Sequence, residues 1–82
     1  MKVVLLPQAE RDLDEIYDPV LGRIVRHLRL LERFPEMGAP MVGPFAGYRS
    51  TIVAMFRIVY RVLPRGAVEI AYVRHCRRAP PA

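Results

Sequence analysis

Arginine is the residue type with the greatest capacity for chemistry in this sequence, and it is concentrated in the second half. Of the 13 lysine and arginine residues only Lys2 is a lysine, and the formal net charge is +5. Residues 42–82 carry a single acidic residue, Glu69, against seven arginines: Arg49, Arg57, Arg61, Arg65, Arg74, Arg77 and Arg78. A guanidinium group binds phosphate or carboxylate through a planar, bidentate fork. This half of the chain is therefore predicted to meet an anionic partner.

Two of these arginines are spaced so that they would share one face of a β-sheet. In residues 56–62, apolar residues alternate with Arg57, Val59 and Arg61, a pattern typical of a strand. Because side chains alternate along a strand, Arg57 and Arg61 are expected on the same face, about 13 Å apart at roughly 3.3 Å per residue. Neighbouring strands can place Arg49 and the segment Arg74 to Arg78 close by. Such a cluster would bind a phosphate backbone through charge neutralisation and counterion release.

The cluster has a second interpretation. The arginines would then keep a sheet face soluble, or pair with the acidic residues of the first predicted helix. Charge alone does not decide between these two functions. Tyr48 and Tyr72 are candidates for stacking on bases, although a position in the core is the favoured interpretation for both.

Other reactive residue types are sparse in the sequence. Cys76 is the single cysteine, and Cys or His pairs at zinc-ligand spacing are absent, so neither a disulfide, a metal site nor a cofactor is predicted. Lys2 precedes only four apolar residues before Pro7, too few for the apolar region of a signal peptide. No apolar run approaches the roughly 20 residues that cross a bilayer. We therefore expect a cytoplasmic protein without membrane contact.

The elements that position these residues begin with a short strand and two helices. Residues 3–6 are apolar and β-branched and predict a strand, and residues 7–18 predict an amphipathic helix with an acidic outer face. Asp18 and Pro19 then supply a cap and a first helical residue for a second helix that continues to residue 34. Polar residues off its apolar stripe, including His27, are predicted to face solvent. The two apolar stripes are Ala9, Leu13, Ile16 and Tyr17, and Val20, Ile24, Leu28 and Leu31.

The second half of the chain predicts three strands. Proline and glycine at residues 35–47 indicate a loop, and residues 48–53 and 55–63 are rich in β-branched and aromatic residues. The turn formed by Pro64, Arg65 and Gly66 leads into a third strand that ends in the basic segment. The predicted fold is α+β, with an N-terminal strand and a two-helix hairpin packed on a mainly antiparallel sheet of about four strands. Residues 1–82 form one domain in this prediction.

Three motifs resemble the RelE/ParE superfamily of toxins. The segment GYRSTIVAMFRIVYRV, residues 47–62, is similar to the superfamily's central hairpin. The segment VRHCRR, residues 73–78, resembles its closing His-Gly-Arg-Arg motif, with Cys76 in the place of glycine. Phe34, Pro35 and Gly38 match the Phe-Pro-x-x-Gly sequence that ends the helical region. The order and spacing of these motifs cover nearly the whole chain.

The resemblance implies the toxin of a type II toxin-antitoxin module of the plasmid-stabilisation kind. A cognate antitoxin would neutralise the toxin with a helix and an added strand, and operator DNA would be contacted only through that antitoxin. Two activities diverge within the superfamily. RelE-like toxins cleave messenger RNA in the ribosomal A site, whereas ParE-like toxins poison DNA gyrase and need no nuclease centre. Target-binding residues would be Arg49, Arg57, Arg61, Arg74, Arg77 and Arg78.

A nuclease would need a group that accepts the 2′-hydroxyl proton, an acid for the leaving oxygen and cations around the phosphorane. The resemblance places the phosphate-stabilising arginine at Arg57 and a second cation at Arg78 or Arg77. His75 would be the acid or base, because the ordinary pKa of histidine lies near neutrality. The catalytic set would then be Arg57, His75 and Arg78.

Two departures from the superfamily pattern weaken the nuclease prediction. Residues 50–54 lack the lysine that ribosome-dependent relatives often carry, and residues 79–82 lack a C-terminal tyrosine. The sequence therefore slightly favours a gyrase poison, although the helical region at residues 7–34 is short for that branch. An inactive, toxin-like module that binds nucleic acid or a protein partner is the third interpretation.

Overall fold

The segments with strand and helix patterns form five strands and two helices in the computed structural model, which describes residues 1–80. Residues 81 and 82 lie outside the described part. The predicted end of the domain at residue 82 falls there, and so does part of the segment 79–82 that lacks a C-terminal tyrosine. The elements are β1 (Lys2–Leu5), α1 (Pro7–Asp14), α2 (Val20–Arg33), β2 (Ala39–Pro40), β3 (Arg49–Val53), β4 (Phe56–Val62) and β5 (Ala67–His75). A short 3-10 turn, Gly43–Phe45, precedes β3.

The strands form one sheet in the order β1-β5-β4-β3-β2. Only β1 and β5 pair in parallel, and the other three pairs are antiparallel. The predicted α+β fold with a mainly antiparallel sheet is confirmed. The fifth strand is β2, two residues that pair with the start of β3 within the predicted loop. Pro40 suits this position because proline is confined to edge strands and bulges.

The two helices follow the predicted stripes except near the end of α1. Ile24 and Leu31 of α2 are fully buried, and the Asp18 carboxylate accepts a hydrogen bond of 2.9 Å from the Gly22 N–H in its first turn. The prediction for Tyr17 is wrong, because α1 ends at Asp14 and the Tyr17 side chain is 80% exposed. Within residues 1–80, no helix combines the length and apolar character needed to cross a membrane.

The core lies between the helices and one face of the central strands. Ile58 and Tyr60 of β4 pack there with Val68 and Ile70 of β5, all four fully buried. Complete burial of an aliphatic side chain of this size stabilises the fold by about 1.5 to 3 kcal/mol. These residues alternate with Arg57, Val59 and Arg61 along β4, so the other sheet face is turned away from the helices.

Gly38 and Tyr60 connect the loop after α2 to the core. The Tyr60 hydroxyl donates to the Pro35 carbonyl at 2.7 Å and accepts from the Gly38 N–H at 2.9 Å. A Cβ atom at residue 38 would lie 2.6 Å from the Tyr60 hydroxyl oxygen and 2.9 Å from the Ser50 carbonyl oxygen. Glycine is therefore required here for close approach, which accounts for the last residue of the Phe-Pro-x-x-Gly sequence.

The turn between β3 and β4 has an unusual backbone conformation for its sequence. Val53 pairs with Phe56, leaving Ala54 and Met55 as a two-residue loop with φ values of 51° and 68°. Positive φ at both positions defines a type I′ turn, which favours Asn-Gly. A non-glycine residue in this region costs roughly 1 to 2 kcal/mol. The chain therefore maintains strain at the tip of this hairpin.

Candidate binding face of the sheet

The sheet face opposite the helices carries Arg57 and Arg61, two of the candidate target-binding residues. We call it the outer face and define it by Ile52 of β3, Arg57, Val59 and Arg61 of β4, and Tyr72 of β5. Val59 lies opposite Tyr72 in the strand register, so these two side chains share the face. Arg57 and Arg61 also lie on this face, as predicted from their spacing of four residues along one strand.

Arg57 is the central cation of the outer face. It lies opposite Ile52 on one side and Arg74 on the other, and it forms no hydrogen bond or ion pair with residues 1–80. Burial raises the pKa of Tyr72, and the charges of Arg57 and Arg74 counter that rise in pKa. Arg57 is thus a partly buried cation that can accept an external anion.

Arg61 shares the outer face, but its charge is already paired. Its Nε atom lies 2.7 Å from Glu69 Oε1, and its guanidinium carbon lies 5.4 Å from the centre of the Tyr48 ring. The hydrogen bond to Glu69 raises the pKa of Arg61. Arg61 therefore completes a contact within the protein, whereas Arg57 does not.

Arg49 lies on the helix side of the sheet, so the expectation that it joins Arg57 and Arg61 is wrong. It pairs with Tyr60 in the strand register, and Tyr60 faces the core. Its Nη1 atom donates to the carbonyl oxygens of Gly38 at 2.8 Å and Glu36 at 3.3 Å. Arg49 therefore closes the loop that follows α2.

Arg74 lies near the C-terminal end of β5, beside Asp12 of α1. Its Nε atom is 3.8 Å from Asp12 Oδ1 and is buried without a hydrogen bond within the described residues. The Asp12 carboxylate accepts from the Val73 N–H at 2.9 Å and from the Gln8 side-chain amide at 2.8 Å. The acidic residues of α1 were predicted to face solvent. The spacing of Asp12 from Ala9 and Ile16 instead puts its side chain on the apolar stripe.

His75 lies on the opposite side of the sheet from Arg57. It pairs with Phe56, which packs against the core, and their rings meet edge to face at 5.3 Å between centroids. The His75 Nδ1 atom accepts from the Arg77 N–H at 3.2 Å. With Arg78, His75 lines a cleft of about 170 Å³ beside α1. The structure thus brings His75 and Arg78 together, and the sheet separates His75 from Arg57.

The aromatic residues of the outer face form a small second core. Tyr72 is only 5% exposed, and Phe45 of the 3-10 turn meets the rings of Tyr72 and Tyr48 edge to face, at 5.9 and 6.1 Å. The core interpretation therefore holds for Tyr72. Phe45 was not among the predicted site residues, because its loop has no strand or helix pattern. Within residues 1–80, no group of three or more His, Cys, Asp or Glu residues is placed to hold a metal ion.

Solved toxin-antitoxin structures share this fold. A chain of the RelBE2 complex from Mycobacterium tuberculosis is 28% identical, with a TM-score of 0.83, over 90% of this chain and 95% of that chain. A chain of the intact RelBE complex of E. coli is 15% identical, with a TM-score of 0.78, over 94% and 98%. The chromosomal ParDE system of P. aeruginosa gives 21% identity and a TM-score of 0.75, over 92% and 95%. The last two likenesses concern the fold alone.

The family comparison covers almost every residue that the structure describes. No curated protein matches the chain. A family model described as the ParE toxin of the type II toxin-antitoxin system, parDE, matches residues 3–80. The match spans β1, both helices and the whole hairpin that carries Arg57, in agreement with the fold. The chain therefore belongs to the ParE toxin family of type II toxin-antitoxin systems.

Proposed function

We propose that this toxin inhibits growth by binding DNA gyrase through the outer face, centred on Arg57, without catalysing a reaction. The match to the ParE family of parDE systems supports this target. The available charge of Arg57 supports binding to an anionic partner surface, because its guanidinium group is not used within residues 1–80. A gyrase target would require the toxin to act in the cytoplasm.

The separation of Arg57 from His75 is the observation that carries this proposal. Cleavage of RNA needs an acid or base within hydrogen-bonding distance of the phosphate that the cations stabilise. Arg57 emerges on the outer face, whereas His75 packs on Phe56 on the helix side. A phosphate bound at Arg57 would have the sheet between it and the imidazole. This arrangement favours binding over catalysis.

A cognate antitoxin is the second partner in this proposal. The similar chains of M. tuberculosis, E. coli and P. aeruginosa come from toxin-antitoxin systems. Leu30 lies in the last turn of α2, Phe34 and Met37 follow the helix, and these three residues are 45%, 55% and 42% exposed. A partner helix with an apolar stripe would cover them. Operator DNA would then be reached through the antitoxin.

A ribosome-dependent messenger RNA endonuclease is the second candidate. Its support is the 28% identity with a chain of the RelBE2 complex, together with the register that sets Arg57 opposite Arg74. Two cations side by side could hold one phosphate. The catalytic set predicted for this function is Arg57, His75 and Arg78, without a metal ion or other cofactor. Because His75 lies across the sheet from Arg57, the acid or base for a phosphate held by Arg57 would have to come from another group. A toxin-like module without activity is the remaining alternative.

One induction experiment separates these functions. The protein is expressed alone in a bacterium, and growth, messenger RNA ends and gyrase-linked DNA breaks are followed together. Growth arrest with DNA breaks and intact messages is the expected result. Arg57→Gln should relieve the arrest, whereas Arg65→Gln, which removes the same charge from the exposed β4–β5 turn, should not. Ribosome-dependent message cleavage would establish the endonuclease instead, and uninterrupted growth would establish an inactive module.

A further inference from the structure

The tip of the β3–β4 hairpin carries a methionine that the fold itself does not require. Met55 occupies a positive-φ position, and its side chain is 57% exposed. Asn-Gly is the sequence that relaxes a type I′ turn, and an exposed methionine supplies little burial in compensation. Residues held in sparsely populated backbone conformations cluster at binding sites. The requirements of the fold therefore do not account for a methionine at residue 55.

The tip is held in place by contacts on both of its strands. Val53 and Phe56 close the turn in the strand register, and the Met55 carbonyl accepts a hydrogen bond of 2.9 Å from the Cys76 N–H. This hydrogen bond ties the hairpin tip to the segment that follows β5. A side chain on such a support is presented in a fixed position, which reduces the entropy lost on binding.

A second exposed apolar side chain lies beside Arg57. Ile52 is 55% exposed and pairs with Arg57 across β3 and β4, which places their Cβ atoms roughly 5 Å apart. We call Ile52, Met55 and Arg57 the tip patch. An aliphatic side chain opposite an available cation, with a second exposed apolar side chain in the adjoining turn, matches an apolar pocket that is bordered by carboxylates.

We propose that the tip patch is the surface by which the toxin binds its target protein, with Met55 and Ile52 entering an apolar pocket and Arg57 pairing with a carboxylate at its rim. The inference rests on the proposed function and adds the residues that contact the target. Methionine suits this role because its flexible, polarisable side chain adapts to a pocket. Small central clusters of this kind supply most of the binding energy of an interface.

A protein fits the tip patch better than a nucleic acid does. Single-stranded nucleic acid is bound by aromatic platforms on which bases stack, but Ile52 and Met55 are aliphatic. Tyr72 on the same face is buried, and Tyr48 lies beneath the Arg61 guanidinium group. The exposed apolar residues Leu30 and Phe34, proposed for the antitoxin, belong to α2 and its end. The tip patch belongs to other elements than the surface proposed for the antitoxin.

The decisive variant relaxes the turn while it removes the methionine. Ala54→Asn combined with Met55→Gly gives the sequence that type I′ turns prefer, so the melting temperature should rise, by about 4 °C or more in a domain of this size. Growth inhibition should nevertheless weaken by about tenfold or more in the inducer concentration required. Ile52→Thr keeps a β-branched residue and should weaken inhibition in the same direction. Val42→Thr is the matched control, because Val42 is 86% exposed and lies in the loop before β3.

Antitoxin binding and gyrase inhibition complete the test. Both tip variants should bind a purified cognate antitoxin as tightly as the wild type, and both should inhibit gyrase supercoiling less. A folded tip variant that arrests growth as strongly as the wild type would overturn the inference. So would a variant that loses only antitoxin binding, or a wild type whose binding to single-stranded RNA depends on Met55. If the wild type arrests growth without inhibiting gyrase, the proposed target is wrong, and the growth comparison still decides the role of the tip.

Discussion

The two faces of the sheet differ in where their polar groups find partners. On the helix side, the Tyr60 hydroxyl bonds two loop groups, Arg49 bonds two loop carbonyls, and His27 Nε2 lies 2.9 Å from Thr51 Oγ1. On the outer face, Arg61 is paired with Glu69, but Arg57 is not paired within residues 1–80. The number of arginines is therefore a poor guide to the binding surface. The useful distinction is whether the fold already uses each charge.

The outer face is itself divided into two parts. Near the turn at residues 63–66, Arg61, Glu69 and Tyr48 contact one another, and Val59 and Tyr72 are buried at the centre. Towards the hairpin tip, Arg57 has no ion-pair partner among residues 1–80, and Ile52 and Met55 are exposed. Polar groups at one end of the outer face are therefore paired within the fold, whereas the groups at the tip end are those to which we assign a partner.

The largest loss of stability is expected from substitution of Asp12, where α1 meets the edge of β5. Asp12→Ala should reduce the free energy of unfolding by about 3 kcal/mol, because the Val73 N–H and the buried Arg74 Nε would lose their carboxylate. Asp12→Asn keeps an acceptor for the Val73 N–H and should cost less. Urea denaturation measures both. Two variants as stable as the wild type would mean that Asp12 does not hold this edge.

Tyr60 tests the helix side directly. Tyr60→Phe should cost about 2 kcal/mol of unfolding free energy, because the buried Gly38 N–H and the Pro35 carbonyl would lose their shared partner. Tyr17→Phe removes the same hydroxyl from a side chain that is 80% exposed and should leave stability unchanged. Thermal unfolding followed by circular dichroism gives the difference. Equal stabilities would contradict the view that polar groups on this side serve the fold.

The sequence was sufficient for the elements of the fold because periodicity is a local property. Alternation along β4 identified its core face, and the stripe of Ile24, Leu28 and Leu31 identified the buried side of α2. The face of Arg49 could not be found in this way, because β3 carries polar and apolar residues on both faces. Its orientation depends on pairing with Tyr60, a contact that only the register of the hairpin fixes.

The parts of the candidate site that were missed depend on tertiary contacts. Asp12 occupies a helical position on the apolar stripe, and a carboxylate there signals a buried partner, which proved to be the Val73 N–H. His27 was expected in solvent but is half-buried against Thr51. The backbone conformation of Ala54 and Met55 carried no signal, because neither residue is typical of a type I′ turn.

Substitution of Arg57 tests whether the unpaired charge of the outer face contributes to stability, and we expect that it does not. Arg57→Gln should change the unfolding free energy by less than about 0.5 kcal/mol, since the Arg57 side chain forms no ion pair or hydrogen bond within the described part. The sign should favour the variant at low salt, because like charges opposite each other on strands repel and Arg57 faces Arg74. Melting temperatures in low and high salt measure the effect. A loss of stability would place Arg57 among the residues that hold the fold.

Substitution of His27 should have the smallest effect on stability. It tests whether burial on the helix side makes protonation of this histidine unfavourable. Burial lowers the pKa of His27 below 6.5, so the unfolded chain takes up this proton more readily than the folded protein does. The stability that neutral His27 contributes is therefore complete above about pH 6.5 and is lost as the pH falls through the lower folded-state pKa. His27→Gln, which can keep a hydrogen bond to Thr51, should flatten the dependence of the melting temperature on pH between about pH 7.5 and 5.5. Equal slopes would mean that His27 ionises as freely in the fold as in the unfolded chain, and that water reaches the helix side as easily as it reaches Arg57.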